Sequence, residues 1–470
     1  MSENRDLTTL LQENRKVSLK ERLRIVYDLS LPGILAQISE IIMQYIDAAM
    51  VGVLGAKASA SIGLVSSSTW LFGGIIGGVA AGFAVQVSHA AGAGRREDSQ
   101  AIFKESLLAS LIISIIVGGV GVLVSLGLPQ WLGADRSLWH DGTAYFLWFS
   151  VFIPARMLQR LGVTMLQCAG NMKAPSILST LMCLSDVVFN YFLIFPTRMV
   201  NVFGMKMRMP GAGLGVAGAQ LGTSFAIAVC MIAVLAWCVF REPLLDPRKV
   251  KGHWLLEKKV ASQAVSIGLP MALEQTATTG AQVVSTRIVA PLGTVAIAAN
   301  SFAVTAESIC YMPGYGIGSA ATTMVGQAFG AKRKDLARSF AWLTTFTGMI
   351  IMGITGALMY FLCPFVFAFL TPVKQVQQLG VQVLRIELLA EPLFAASIVA
   401  AGALRGAGDT LVPGVLNLVS IWGVRIPVAW ILSKSVGLPG VWIAMAVELS
   451  VRGILFLIRL KRGKWLANLE

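Results

Sequence analysis

Two carboxylates stand in an apolar stretch near the start of the chain. The segment QISEIIMQYIDAAMVG, residues 37–52, places Glu40, Gln44 and Asp47 at spacings of four and three residues. In a helix this spacing puts all three on one face. An ionised carboxylate at bilayer depth costs about 2.5 to 3.5 kcal/mol on insertion scales, so we expect this face to point into the protein. Burial disfavours the charged form, and such an acid can take up and release a proton.

The composition is that of a membrane protein. A mean hydropathy of +0.72, with 56% hydrophobic and 13% charged residues in 470, lies outside the usual soluble range. A helix needs about 20 apolar residues to cross the hydrocarbon core, and the apolar runs lack the alternation of barrel strands. The sequence predicts an all-α protein with twelve transmembrane helices, at residues 31–53, 62–90, 102–129, 141–167, 174–196, 213–240, 262–290, 298–328, 339–369, 380–404, 411–433 and 437–459.

Basic residues define an orientation for these spans. They concentrate in segments that share one side of the membrane with the N-terminus, which predicts that both termini are cytoplasmic. The net charge of +14 is explained by loops that face anionic lipid, and we expect no nucleic-acid partner. The polar first thirty residues do not resemble a cleavable signal peptide. The basic clusters are Arg15, Lys16, Lys20, Arg22 and Arg24, and Arg248, Lys249, Lys251, Lys258 and Lys259.

The chain contains an internal repeat at an offset of 238 residues. LPGILAQISEIIMQYIDAAMVGVLGAKASA (31–60) matches LPMALEQTATTGAQVVSTRIVAPLGTVAIA (269–298) at ten of thirty positions without a gap. The same offset pairs GAGRRED with GAKRKDL, Pro154 with Pro392, and GNMKAP with GDTLVP. Six spans per half is an even number, so both halves enter from the same side as a parallel repeat.

The repeat predicts the domain organisation. A first six-helix lobe at 31–240 and a second at 262–460 are joined by a cytoplasmic linker at 241–261, with a cytoplasmic N-terminal segment at 1–30 and a tail at 461–470. After the fifth span the offset falls to 225, because the first half has 13 extra residues around VNVFGMKMRMPGAG (200–213). Alternation and a turn glycine predict an extracellular hairpin there, with an irregular loop as the alternative.

Several kinds of chemistry find no support in the sequence. There is no GxxxxGK[ST] motif for nucleotide binding, and His89, His140 and His253 fall in separate segments without HExxH or triad partners. The six cysteines lie in or beside apolar spans without metal-ligand spacing. We expect neither an enzyme nor a bound cofactor. Two bundles with intramembrane acids instead indicate a secondary transporter that works by alternating access.

Several motifs in both halves carry a family resemblance. They are the LP…Q…Q…D pattern of the first span, VSHAAGAGRRED and VGQAFGAKRKDLA after spans two and eight, GNMKAP and LRGAGDTLVP before spans five and eleven, and GVAGAQLGT in span six. In order and spacing the chain resembles the multidrug and toxic compound extrusion family over residues 20–460. The resemblance implies a V-shaped fold of two six-helix lobes that exports cationic or amphipathic organic compounds in exchange for protons or sodium ions.

The resemblance also implies a cation site in the first lobe. Asp47, Asp186, Asn190 and Thr223 occupy the family's positions, and Glu40 shares the helix face of Asp47. Archaeal members have Asn first and Asp four residues later, whereas here Asp comes first, so both H+ and Na+ stay open as the coupling ion. The internal repeat supplies a control, because the second-half counterparts of these four residues are Ser285, Val424, Val428 and Glu448. A cluster present in one half only indicates a specialised site.

The second lobe has acids of its own. Glu274, Glu307 and Glu391 are candidates for coupling or for binding cationic substrate, since family members use acids in the seventh and tenth spans. Glu448 precedes Arg452 by one turn, as in an intrahelical ion pair. Arg385 or Arg425 is a potential counter-ion for another acid, and the alternative for each glutamate is a purely structural role. The remaining acid of this lobe at membrane depth is Glu387.

Three rival functions have distinct signatures. A flippase for a lipid-linked sugar or cell-wall precursor needs a basic cavity, whereas the charges at membrane depth are mostly acidic. A channel or receptor would not require carboxylates concentrated in one lobe, and a structural membrane protein would leave them unexplained. The sequence therefore predicts a monomeric antiporter for small organic substrates, with a multi-pass arrangement in the plasma (inner) membrane.

Overall fold

The computed structural model describes Leu7, Leu11 and residues 17–133, 135–202, 205–250 and 256–469. Its helices are α1 Leu19–Gly52, α2 Ala56–Gly92, α3 Arg96–Ser125, α4 Leu128–Trp131, α5 Arg136–Val151, α6 Ile153–Cys168, α7 Lys173–Ile194, α8 Gly215–Phe240, α9 Lys258–Val289, α10 Thr294–Gly330, α11 Lys334–Leu370, α12 Lys374–Leu388, α13 Glu391–Gly406, α14 Leu411–Ser420, α15 Ile426–Val436 and α16 Leu438–Arg462. Two strands, β1 Pro196–Val202 and β2 Met205–Ala212, lie between α7 and α8.

The predicted all-helical membrane fold is confirmed, and each of the twelve predicted spans lies on one helix or on two consecutive helices. In the described ranges, nine helices are long and apolar enough to cross a bilayer. The other three spans are the fourth and the tenth, which are broken, and the seventh, which is α9. Residues 1–6, 8–10 and 12–16 of the predicted N-terminal segment, residues 251–255 of the linker and Glu470 lie outside the described residues.

Prolines break the fourth and tenth spans at equivalent positions. The fourth span divides into α5 and α6 just before Pro154, and the tenth divides into α12 and α13 just before Pro392. Proline lacks the N–H that a continuous helix requires, and its ring clashes with the carbonyl of the preceding turn, whereas it is tolerated in the first turn of a new helix. The sequence predicted both spans as single helices, which is wrong in this detail. The breaks matter because Arg156 and Glu391 lie within two residues of these prolines.

The helices pack as two bundles that follow the repeat. In the first lobe α1 packs on α7, α7 on α8, and α2 on both α3 and α6. In the second lobe α10 packs on α11 and α13, while α13 packs on α11 and α16. Helices α1 and α2 also contact α10, and α2 contacts α9, which joins the two lobes.

Glycines permit the closest helix crossings between the lobes. A Cβ on Gly33 would lie 2.7 Å from the carbonyl oxygen of Gly316, and a Cβ on Gly78 would lie 2.7 Å from the carbonyl oxygen of Gly268. Small residues let helix backbones approach closely in membranes, where dispersion contacts drive association. Gly78 and Gly316 are related by the 238-residue offset. The crossing of α1 with α10 therefore corresponds to the crossing of α9 with α2, and the duplication has produced the same contact twice.

Two short segments complete the fold. The predicted hairpin is confirmed as antiparallel β1 and β2, whose register pairs Met199 with Arg208. In the segment between α8 and α9, Arg248 donates from Nε to Asp246 Oδ1 at 2.9 Å. Hydrogen bonds from Arg248 hold the pKa of the Asp246 carboxyl at about 2. This pairing stabilises the fold above the usual carboxyl pKa and is lost as the pH falls toward 2.

Candidate ion-coupling site

Helices α1 and α7 bring three of the predicted site residues together. Asn190 Nδ2 donates to Asp47 Oδ1 at 2.8 Å and to Asp186 Oδ2 at 3.1 Å. Asp186 and Asn190 are fully buried, and Asp47 is half-buried. Asp186 and Asn190 are four residues apart on α7, so their side chains lie on one face of that helix and meet Asp47 of α1 together. We refer to these three residues as the first-lobe triad.

The triad keeps free oxygen atoms. Asp186 Oδ1 and Asn190 Oδ1 are buried and accept no hydrogen bond within the part of the chain that the structure describes. Carboxylate and amide oxygens are the ligands that hard cations take, and a protonated carboxyl would donate to such an oxygen. The described residues contain no group of three or more His, Cys, Asp or Glu side chains suited to a metal ion. The triad supplies two carboxyl groups, which suit a proton or a monovalent cation.

Helix α8 closes the triad from the other side. Thr223 donates its hydroxyl to the carbonyl of Ala219 in its own helix at 3.1 Å and lies close to Asp186. The preceding residue, Gly222, lies directly against Asn190, where a Cβ would overlap the amide oxygen. Glycine at this position therefore allows α8 to approach α7 closely enough for Thr223 to reach the acids.

Glu40 lies outside the triad. It is seven residues before Asp47 on α1, which corresponds to about 10 Å along the helix axis. The side chain is half-buried, and no hydrogen bond or ion pair joins it to another described residue. One residue earlier, Ser39 shares a hydrogen bond of 3.2 Å with Thr180 of α7. The shared helix face predicted from spacing is therefore present, but the two acids lie at different depths.

A half-buried arginine lies near the triad and was missed by sequence reasoning. Arg156 on α6 has its guanidinium 4.7 Å from the ring centroid of Phe149 and interacts electrostatically with Asp186 and Tyr145. Its Nε is buried and makes no hydrogen bond to the described residues. The available signal was an arginine two residues after Pro154 inside an apolar span. A single sequence does not reveal which way that side chain points.

The second lobe gathers a different set of acids. Glu307 on α10, Glu387 on α12 and Glu391 at the start of α13 are all buried and interact electrostatically with one another. The carboxyl groups of Glu387 and Glu391 make no hydrogen bond to any described residue. Arg425, in the π-turn between α14 and α15, is the cation that faces Glu307 and Glu387. Arg385 instead donates to the carbonyl of Tyr360 at 3.2 Å.

Two other acids of the second lobe are held in ion pairs. Glu448 pairs with Arg452 on the next turn of α16 at 3.1 Å, as the spacing predicted, and also accepts a hydrogen bond from Ser420. Glu274 on α9 binds Arg405 of α13 through both carboxylate oxygens, at 2.8 and 2.9 Å. Both contacts come from Arg405 Nη2, so one charge-assisted donor bridges the two oxygens. Glu274 thus joins α9 to α13 and lies apart from the cluster around Glu307.

Comparison with known proteins places this architecture in a family. Two lobes of six membrane spans, with an acid network in the first, define a class of helical membrane transporter. The MatE family model matches residues 32–192 and 270–431, which is more than half of the chain. The two matches start 238 residues apart, which is the offset of the repeat. The chain therefore belongs to the MatE family of multidrug and toxic compound extrusion transporters and is a multi-pass membrane protein, as its motifs indicated.

Individual relatives agree over nearly the whole chain. A probable multidrug resistance protein NorM of Thermotoga maritima is 25% identical over 447 residues, covering 93% of this chain and 92% of that protein. The bent form of the Vibrio cholerae MATE transporter VcmN superposes with a TM-score of 0.83 at 18% identity, over 96% of this chain and 98% of that one. An outward-facing MATE structure of the MOP superfamily gives 0.84 at 18% identity, over 96% and 100%. At such identities the structural likeness shows the fold alone.

Proposed function

We propose that the protein is a multidrug efflux antiporter, which exports cationic or amphipathic organic compounds in exchange for H+ or Na+. The observation that carries the proposal is the first-lobe triad, in which two carboxyl groups share one amide inside the membrane-spanning bundle. Two acids in one buried site repel each other when both are charged. Binding one proton or one sodium ion relieves that repulsion.

Coupling requires that the ion prefer one of two conformations. A ligand shifts such an equilibrium only by its difference in affinity between the states. Asp47 comes from α1, whereas Asp186 and Asn190 come from α7. A change in the charge of the triad therefore changes the attraction between these two helices. We propose that ion binding repacks α1, α7 and α8 and that this movement expels the organic substrate.

Membrane energetics are sufficient for such a cycle. One elementary charge that crosses 100 mV releases about 2.3 kcal/mol, which sustains a concentration ratio of roughly fiftyfold for one coupled substrate. We propose a monomer in the plasma or inner membrane with both termini in the cytoplasm, which the positive-inside rule supports. The relatives named as multidrug resistance proteins support an organic substrate.

The test is transport in proteoliposomes. Efflux of a fluorescent organic cation such as ethidium is driven separately by an imposed pH gradient and by an imposed sodium gradient, for wild type and for Asp47→Asn. Movement under one gradient that is lost in the variant supports the antiporter and identifies its ion. Ser185→Ala is the matched control, because this hydroxyl lies next to Asp186 but bonds only to the carbonyl of Leu181 in its own helix.

The alternative is a flippase for a lipid-linked sugar or cell-wall precursor. Arg156 and Arg425 provide half-buried positive charge beside the acids, which is the feature that an anionic cargo requires. Absence of ethidium movement under either gradient, with folded protein, would favour the flippase. Translocation of a fluorescent anionic lipid-linked sugar would then separate this function from an inactive preparation.

A further inference from the structure

The two lobes exchange a symmetric pair of contacts where α2 and α10 end. A Cβ on Gly92, the last residue of α2, would overlap the carbonyl of Gln327, and a Cβ on Gly330, the last residue of α10, would overlap the carbonyl of His89. Gly92 and Gly330 are related by the 238-residue offset, and so are His89 and Gln327. At this point α2 and α10, the equivalent helices of the two halves, cross each other. Glycine allows their backbones to approach this closely.

Each of these helices also donates a side-chain hydrogen bond to the opposite lobe. Gln327 Nε2 on α10 donates to the carbonyl of Cys168, the last residue of α6, at 2.9 Å. His89 Nε2 on α2 lies 2.7 Å from the carbonyl oxygen of Gly406, the last residue of α13. A carbonyl oxygen only accepts, so the imidazole donates through Nε2. Cys168 and Gly406 are again 238 residues apart.

Both acceptors belong to helix ends that need a partner. The last four carbonyls of an α-helix have no N–H from their own helix. Here the end of α6 is capped from the second lobe and the end of α13 is capped from the first. Thr323 adds a second cap to α6, with its hydroxyl 2.9 Å from the carbonyl of Gln167. Water can replace these donors when the lobes separate, so each bond holds the lobes together at a small net free energy.

We infer that His89 and Gln327 are positioning residues of the transport cycle, which hold the cytoplasmic ends of the two lobes together and must both release when the protein opens to the cytoplasm. This inference rests on the proposed alternating-access function. It assigns a role to VSHAAG and VGQAFG, the two motifs in the repeat that the ion site does not use. Each lobe caps a helix end of the other, so the closed arrangement requires both.

Distances between the lobes test this role directly. Spin labels are attached at Arg95→Cys and Lys332→Cys, which lie in the two equivalent loops, after replacement of the six buried native cysteines. Pulsed electron paramagnetic resonance then measures the distribution of distances between the two labels in nanodiscs, which gives the closed and open populations. For His89→Ala or Gln327→Ala we expect the open population relative to the closed one to rise about two- to tenfold, the range for one hydrogen bond.

Two variants separate the role from general destabilisation. His89→Gln introduces the amide that Gln327 uses at the equivalent position and should restore the closed population. Ser88→Ala should leave it unchanged, because this hydroxyl bonds only to Val85 of its own helix. An unchanged distance distribution in both alanine variants, or an opening in His89→Gln as large as in His89→Ala, would overturn the inference. The distances need no transported drug, so they remain informative even where ethidium efflux fails.

Discussion

The two lobes share a scaffold but treat their buried acids differently. In the first lobe Asp47 and Asp186 meet through Asn190, a neutral amide, and neither acid forms an ion pair with another described residue. In the second lobe Glu448 has Arg452 and Glu274 has Arg405 at ion-pair distance. An ion pair is already neutral, whereas two acids around an amide gain from binding a cation. Duplication therefore supplied two similar bundles whose buried acids have different partners.

The difference is not absolute, since the second lobe also contains uncompensated acids. Glu307, Glu387 and Glu391 interact electrostatically with one another, and Arg425 faces Glu307 and Glu387 with positive charge. Their separation from Glu274 means that the sequence candidates of this lobe do not form one site. The comparison is thus between a site of two acids bridged by an amide and a lobe where most acids have a cationic neighbour.

The largest expected effect follows from removing either acid of the first-lobe triad. Asp186→Asn and Asp47→Asn each replace a carboxyl group, whose charge a proton or a cation can neutralise, by a neutral amide of similar shape. We expect ion-coupled efflux to fall at least about tenfold, with the thermal midpoint in detergent nearly unchanged. Efflux at wild-type rate in both variants would contradict this assignment.

A second-lobe ion pair should behave in the opposite way. Arg452→Gln leaves the fully buried Glu448 without its cation, and breaking a buried pair costs about 3 to 5 kcal/mol. We expect the thermal midpoint to fall by several degrees. Glu448→Gln with Arg452→Gln should recover most of that loss, because no uncompensated charge remains. If the double variant is as unstable as the single one, packing rather than charge explains the effect.

An intermediate effect is expected at the link between α9 and α13. Glu274→Gln removes the carboxylate acceptor of Arg405 but leaves Asn417 beside it. Both side chains retain some solvent access, so we expect a loss of about 1 to 2 kcal/mol, smaller than for Arg452→Gln. Thermal unfolding of Glu274→Gln and of Glu274→Gln with Arg405→Gln measures it. A loss of coupled efflux without loss of stability would instead place Glu274 among the coupling residues.

The smallest effect is expected at Glu40. This side chain has no ion pair or hydrogen bond to the described residues and lies about 10 Å along α1 from Asp47. Glu40→Gln should change ethidium efflux by less than about twofold, within the range of a surface substitution. Efflux reduced as strongly as in Asp47→Asn would extend the first-lobe site along α1.

The sequence predicted the architecture well because repetition and hydropathy are local signals. Runs of apolar residues predicted the spans, and the offset of 238 residues predicted the two equivalent bundles. The grouping of Asp47 with Asp186 and Asn190 came from family resemblance and from their absence in the second half. Proline effects were underestimated, since Pro154 and Pro392 were recognised as equivalent but not as breaks.

Long-range partners were not predictable in the same way. Arg405 is 131 residues from Glu274, and Gly406 is 317 residues from His89. No spacing rule connects residues on different helices, because the contact depends on how the bundles rotate against each other. Arg156 was missed for the same reason. The sequence contained the equivalent positions of His89 and Gln327, but only the folded chain shows that each reaches the other lobe.

One measurement tests the central claim, which is that the first-lobe triad couples ion movement to transport. Ion flux and ethidium efflux are recorded together in proteoliposomes for Asp186→Asn and for the double variant Glu448→Gln with Arg452→Gln. We expect the first variant to lose the ion flux that accompanies efflux, and the second to retain it at the wild-type ratio. Retained coupling in Asp186→Asn, with coupling lost in the second-lobe double variant, would contradict the account.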